Sequence, residues 1–145
     1  MVKRILAVSG IGNCGKTHTM NYLAQRLETN YPHARMSGPD PFLNPLDCDA
    51  RYVFDNIKGF KVGIGTSGDW GSTIADHFTD FDAVGCDIVI TACRSRSGAY
   101  SVDELEHQAM SRNVIVDYTT LMWETPSAHQ ILVEQTIAQR LETKI

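Results

Sequence analysis

Eight residues near the start of the chain, Gly10-Ile11-Gly12-Asn13-Cys14-Gly15-Lys16-Thr17, fill the pattern G-x-x-x-x-G-K-[ST] without a break. The glycines let the backbone curl so that successive N–H groups converge on one point, and a helix opening directly behind adds its positive end. That is the chemistry of a cradle for linked phosphates. Lys16 is expected to reach the β- and γ-phosphates as a point charge, and the Thr17 hydroxyl to ligate Mg²⁺. The cradle then comprises Gly10, Gly12, Asn13, Cys14, Gly15, Lys16, Thr17 and the adjoining His18. Cys14 reads as a small side chain filling the loop rather than as a thiol activated by the helix end.

A cradle that transfers a phosphoryl group also needs an acid to accept a proton or hold the metal, and three aspartates compete for that role. Asp69 stands in Gly65-Thr66-Ser67-Gly68-Asp69-Trp70-Gly71, glycine-bracketed at the carboxyl end of a strand, the edge where open α/β sheets bind ligands. It ranks first; its competing role is to cap the next helix, which Ser72 could do instead. Asp40, between Pro39 and Pro41, is either a base or a turn former. Asp117 closes Val114-Ile115-Val116 and is either a magnesium anchor or a plain strand-end carboxylate. Arg94 and Arg96 follow an apolar strand and are expected to neutralise charge on the transferred group or clamp a substrate phosphate. The catalytic set is therefore Lys16, Asp69, Asp40, Arg94 and Arg96, with Thr17 and Asp117 on the metal. Trp70 and Tyr100 are placed to stack a base, or else belong to the core. His77, His107 and His129 read as helix-face residues.

These side chains need a scaffold that delivers them to one edge. Lys3 to Ser9 is a short apolar run of the kind found in a buried parallel strand. Met20, Leu23, Ala24 and Leu27 then recur at helical spacing between Thr17 and Thr29. Tyr31 to Asp49 holds Pro32, Pro39, Pro41 and Pro45 and is expected to be mostly irregular, a candidate substrate loop. Residues 51–57 and 60–66 form a hairpin about Lys58-Gly59. A helix from Ser72 to Val84 buries Ile74, Phe78 and Phe81, and a strand covers Asp87 to Cys93. The capping box Ser101-x-x-Glu104 opens a third helix with Val102, Leu105 and Ala109 inside. Asn113 to Tyr118 is the last strand, and Ser127-x-x-Gln130 starts a terminal helix carrying Val133, Ile137 and Leu141. The order reads as an α/β, three-layer αβα fold with a mainly parallel sheet and a hairpin, in one domain over residues 1–145.

Composition narrows the classes further. The chain has 145 residues, 43% of them hydrophobic and 21% charged, with 11 glycines and 5 prolines, which excludes disordered and fibrous classes. No apolar stretch approaches a membrane span, and the glycine loop comes too early for a signal peptide, so a cytoplasmic protein is expected. Cys14, Cys48, Cys86 and Cys93 stand singly and are expected to be reduced thiols. A net charge of −4 argues against a protein whose main task is coating nucleic acid.

The eight-residue motif, between a strand and a helix, resembles the P-loop NTPase superfamily. The guanine signature Asn-Lys-x-Asp of its GTPase branch and that branch's Asp-x-x-Gly switch string are both read as absent, and the chain is short for the motor ATPases, so the kinase branch fits better. With little room for a substrate-binding insert or a closing lid, the acceptor side is expected to be open. In its length, its glycine-bracketed Asp69 and its Arg94-Ser95-Arg96 loop, the chain is similar to small phage kinases that phosphorylate hydroxymethyluracil within DNA. That resemblance implies ATP and Mg²⁺ as cofactors, DNA with a modified pyrimidine as partner and the host cytoplasm as location. It also implies Asp69 as the base that deprotonates the hydroxymethyl group, with Arg35, Arg51 and Lys61 joining Arg94 and Arg96 along a groove for the phosphates. A compact kinase for a free nucleotide or other metabolite, and a nucleotide-binding switch without an acceptor, are the other two readings.

Overall fold

The computed structural model describes residues 1–10, 15–94, 101–121 and 127–145. In chain order the elements are β1 (Arg4–Gly10), α1 (Lys16–Asn30), β2 (Met36–Ser37), β3 (Arg51–Ile57), β4 (Phe60–Gly65), α2 (Gly71–Ala83), β5 (Ile88–Arg94), α3 (Ser101–Ser111), β6 (Val116–Thr120) and α4 (Ser127–Lys144). The strands form one six-stranded sheet ordered β2-β3-β4-β5-β1-β6. β4, β5, β1 and β6 run parallel, while β3 is antiparallel to β4 and β2 to β3. The protein is thus α/β with a mostly parallel sheet and helices on both faces.

Alternation along the strands decides which helices cover which face. Leu6 and Val8 of β1 join Met20, Leu23, Ala24 and Leu27 of α1 and Ala138 and Leu141 of α4 in one core. Ile5 and Ala7 turn the other way and join Ile74, Phe78 and Phe81 of α2 and Leu105 and Ala109 of α3. Every apolar position expected of α1 is fully buried, and each such leucine contributes about 2 kcal/mol by leaving water. On the second face α2 lies unusually close to β4. A Cβ on Gly63 would fall 2.6 Å from the Phe81 ring, and one on Gly65 would fall 2.5 Å from the His77 ring. Two glycines on the same side of a strand therefore make room for two rings of the helix above.

The hairpin turns at Lys58-Gly59, with φ of 53° and 85°, the paired left-handed geometry that matches the twist of the flanking strands. The Tyr31 to Asp49 segment is mostly irregular, with a two-residue strand, β2, added to the edge of β3. One expectation needs correction. Strand β6 begins at Val116 rather than Asn113, because Asn113 adopts φ 56° and the Val114 N–H bonds back to the Ala109 carbonyl, closing α3 with a Schellman motif. His77 is a helix-face residue on the inner side of α2, where it is fully buried.

Cys48, Cys86 and Cys93 are unbridged. Burial pushes the Cys86 and Cys93 thiols up to about 12, so both stay protonated and unreactive. Cys14 lies outside the described residues. No helix among the described residues is long and apolar enough to cross a membrane.

Candidate active site

Strand register brings the candidate residues together. β1 and β5 end side by side, with Gly10 opposite Arg94, so the start of the glycine motif and the first arginine share the carboxyl edge of the sheet. β4 ends on that edge too, with Gly65 beside Thr91, and the turn after it carries Asp69. The Lys16 ammonium donates to the Gly10 carbonyl at 3.1 Å and lies 3.4 Å from Asp69 Oδ1. Arg94 Nε reaches the same Oδ1 at 3.3 Å. Asp69 Oδ2 takes no part in either ion pair.

The local sequence explains why Asp69 points inward. Helix α2 starts at Gly71 with Trp70 as its N-cap, so Asp69 is not consumed as a helix cap. A Cβ on Gly68 would fall 1.8 Å from the Ala92 carbonyl oxygen, so only glycine lets this turn lie against β5. The preceding Thr66 is locked to Ala50, the residue before β3, its N–H donating to the Ala50 carbonyl and its hydroxyl accepting the Ala50 N–H.

A cleft of about 660 Å³ opens over these groups. Gly15, Lys16, Thr17 and His18 form its floor, Thr66 to Trp70 one wall, and Gln130, Ile131 and Glu134 of α4 another, with Asp47 and Asp49 also facing it. Gly15 has φ 95° and α1 carries no acidic residue in its first turn, so no carboxylate of the helix itself opposes an anion at its positive end. These features fit a polyphosphate. The Thr17 hydroxyl and the Asp69, Asp47 and Asp49 carboxylates are oxygen donors of the kind Mg²⁺ takes.

Two of the three aspartates named from the sequence lie elsewhere. Asp40 Oδ2 accepts the Arg51 N–H at 2.7 Å, so that carboxylate ties β3 to the loop before it and does not line the cleft. Asp117 sits near the starting end of β6, away from the carboxyl edge, and is paired with Lys144 at 2.9 Å. The expectations of Asp40 as base and Asp117 as metal anchor are therefore corrected. The broader arginine groove does not assemble either. Arg51 is spent on His77, Asp80 and Asp76, and Lys61 pairs with Asp55 toward the opposite end of the sheet. Gly12, Asn13, Cys14, Arg96 and Tyr100 lie outside the described residues. An Asp-x-x-Gly string does occur at Asp82-Ala83-Val84-Gly85, but it closes α2, with Gly85 at φ 76° and Asp82 paired to Arg112, at the far end from the cleft.

Three further groups at or behind the cleft carry no signature in the sequence. Asn21 is buried on α1, and its Nδ2 donates to the Leu46 and Cys48 carbonyls, both at 3.0 Å, while its Oδ1 accepts the Tyr52 hydroxyl at 2.6 Å. Tyr52 in turn accepts the Asn44 N–H. Burial raises the phenol's pKa, so it stays a donor. This network fastens the proline-rich loop to α1 and sets Asp47 and Asp49 at the cleft. Glu134, 2% exposed, reaches from α4 to His18 Nδ1 at 3.3 Å and accepts from Gln130 at 3.0 Å, pressed against Gly15. Finally, buried His77 supports the turn that carries Asp69. Asparagine, glutamate and histidine within amphipathic helices have no spacing signature, which is why these roles emerge only from the fold.

No family model, no curated protein and no solved structure matches the chain.

Proposed function

We propose that the protein is an ATP- and Mg²⁺-dependent P-loop kinase that transfers the γ-phosphoryl group to an alcohol. The acceptor we propose is the hydroxymethyl group of hydroxymethyluracil in phage DNA. One observation carries the reading: a lysine from the glycine-lysine-threonine motif and an arginine both come within 3.4 Å of one carboxylate oxygen at the carboxyl edge of a parallel sheet, where open α/β sheets bind ligands. Regulatory switches need the lysine, but a carboxylate and a second cation beside it are what group transfer requires.

Bound ATP with Mg²⁺ supplies the phosphoryl group and neutralises its charge. The chain's own residues do the rest. Gly15 and the start of α1 hold the phosphates, and Lys16 and Arg94 stabilise charge on the transferred group. Asp69 Oδ2 takes the proton of the acceptor hydroxyl as its oxygen bonds to the γ-phosphorus and ADP departs. The cleft has no covering insert among the described residues, and Trp70, 62% exposed, stands at its mouth next to Asp69. An open site with a flat aromatic beside the acid suits a base presented on a polymer, everted from the duplex to be reached.

The test is transfer of labelled γ-phosphate from ATP to hydroxymethyluracil DNA, unmodified DNA and free deoxynucleoside monophosphates. Label on the modified DNA alone, lost in Lys16→Ala and Asp69→Asn, establishes the reading. Label on a mononucleotide moves the protein to the metabolic kinases, and nucleotide binding with no acceptor makes it a switch.

A further inference from the structure

His77 lies wholly inside the protein, yet all its hydrogen-bonding capacity is directed at the turn before Asp69 and at the residue that fixes its tautomer. Its Nδ1 accepts from Arg51 Nε at 2.9 Å, and Nε2 lies 2.7 Å from the Ser67 carbonyl oxygen. Arg51 can only donate, so Nδ1 must be the bare nitrogen and Nε2 the one carrying hydrogen. A carbonyl can only accept, which requires the same tautomer. Arg51 is itself anchored at 2.7 Å on Asp80, with Asp76 at 3.9 Å. The ring is also wedged between Gly65 and Phe81, the latter at 6.1 Å between centroids.

We infer that His77 is a positioning residue for Asp69: by gripping the Ser67 carbonyl, it holds the turn that sets the carboxylate between Lys16 and Arg94. Thr66 is tied to Ala50 just before β3 and Gly68 rests on Ala92, while Ser67 is held from α2 by the His77 ring. The chain Asp80–Arg51–His77–Ser67 thus runs from the outer surface of α2 to the residue two before the acid. The alternative, a ring that merely fills space, leaves the fixed tautomer and the 2.7 Å bond without a purpose.

The inference rests on the kinase reading for one of its two readouts. In the full chain, His77→Phe keeps a ring against Phe81 and removes both nitrogens, whereas His77→Gln keeps an N–H that can reach Ser67. His77→Phe is expected to lower kcat roughly tenfold to 100-fold, as a displaced catalytic group does, with the KM for ATP within about twofold. His77→Gln is expected to restore most of the rate. The second readout is the Trp70 indole resonance beside Asp69, expected to move in His77→Phe and to return in His77→Gln. Wild-type kcat and an unmoved indole in a folded His77→Phe overturn the proposal, as does equal damage by both substitutions. Should His77→Phe fail to fold, Arg51→Met, which withdraws the donor to Nδ1 together with the Asp80 and Asp76 ion pairs but leaves the His77 ring in place, is expected to give the same two changes, and its silence overturns the proposal. If wild-type protein transfers phosphate to no acceptor, the kinase reading falls and the resonance alone decides the positioning role.

Discussion

The Lys16 ammonium and the Asp69 carboxylate face each other at 3.4 Å, but from unequal surroundings: Lys16 is 6% exposed and Asp69 is 45% exposed. The lysine keeps the Gly10 carbonyl as a partner when the acid is neutralised, and the acid keeps water and Arg94 when the lysine is removed. Lys16→Ala leaves no buried charge behind, and Asp69→Asn leaves the Lys16 ammonium hydrogen-bonded to the Gly10 carbonyl, so both variants are expected to fold.

Their functional effects separate. On the proposed kinase reading, Lys16→Ala removes the charge assigned to the phosphates in both the bound and the reacting state, so nucleotide affinity and transfer are expected to fall together. Asp69→Asn leaves the phosphate contacts intact, and is expected to preserve the nucleotide Kd while lowering kcat by about 100-fold or more. Isothermal titration and single-turnover transfer on the two variants check this division.

Acid stability is expected to follow His77. Its pKa is lowered from 6.5 to about 4, chiefly because burial disfavours the charged ring and also because Arg51 repels it, against the Ser67 carbonyl and the Asp80 and Asp76 carboxylates, which favour it. The unfolded chain therefore binds a proton that the folded chain refuses. Stability from this group is intact above about pH 6.5 and is lost as pH falls toward 4, by at most about 3 kcal/mol. Urea midpoints measured from pH 7.5 to 4 are expected to fall more steeply for wild type than for His77→Phe.

Gly68 offers a purely steric test. A methyl group there meets the Ala92 carbonyl at 1.8 Å, and backbone cannot yield as a flexible side chain does. Gly68→Ala is expected to cost about 2–3 kcal/mol and to push the Asp69 turn off β5, lowering transfer as well. Gly59→Ala controls for helix- and sheet-independent loss of glycine: its turn is open, with nothing near the added methyl, so any cost there comes from its φ of 85° alone and leaves transfer unchanged.

What could be read from the sequence follows from which interactions are local. Helices α1, α2 and α4 were legible because Met20, Leu23 and Leu27, or Ile74, Phe78 and Phe81, repeat at helical spacing whatever the tertiary partner. Asp69 was legible because strand-end glycines mark the ligand edge of an α/β sheet. Asp40 and Asp117 failed for a shared reason: a carboxylate near a strand looks the same whether it faces a ligand or is spent on Arg51 N–H or Lys144, and only register tells the two apart. Asn21 and His77 were invisible because their partners, Leu46, Cys48, Tyr52 and Ser67, come from other parts of the fold.

The Asn21–Tyr52 bond should be the main anchor of the proline-rich loop. Tyr52→Phe removes the hydroxyl and leaves Asn21 Oδ1 and the Asn44 N–H without it, at an expected cost of about 1–3 kcal/mol. Hydrogen exchange is expected to speed up across residues 43–48 and to stay slow in β1 and β5. Uniform acceleration over the sheet would show instead that Tyr52 matters only as core.

Trp70 gives the most direct test of acceptor type. Its side chain is 62% exposed, and it caps α2 with its backbone without a side-chain hydrogen bond, so Trp70→Ala is expected to change stability by no more than about 0.5 kcal/mol. If a flat base stacks on the indole, the same substitution removes about 1–3 kcal/mol of acceptor binding. That raises the KM for modified DNA by roughly fivefold to 100-fold while the KM for ATP stays put, because the proposed phosphate cradle lies on the Gly15 and Lys16 side of the cleft. Substituting Trp70→Phe, which keeps a smaller aromatic face, should recover part of the loss. An acceptor KM unmoved by either change would mean that the hydroxyl is delivered without its base touching this wall, and a non-aromatic alcohol would then be the substrate to seek.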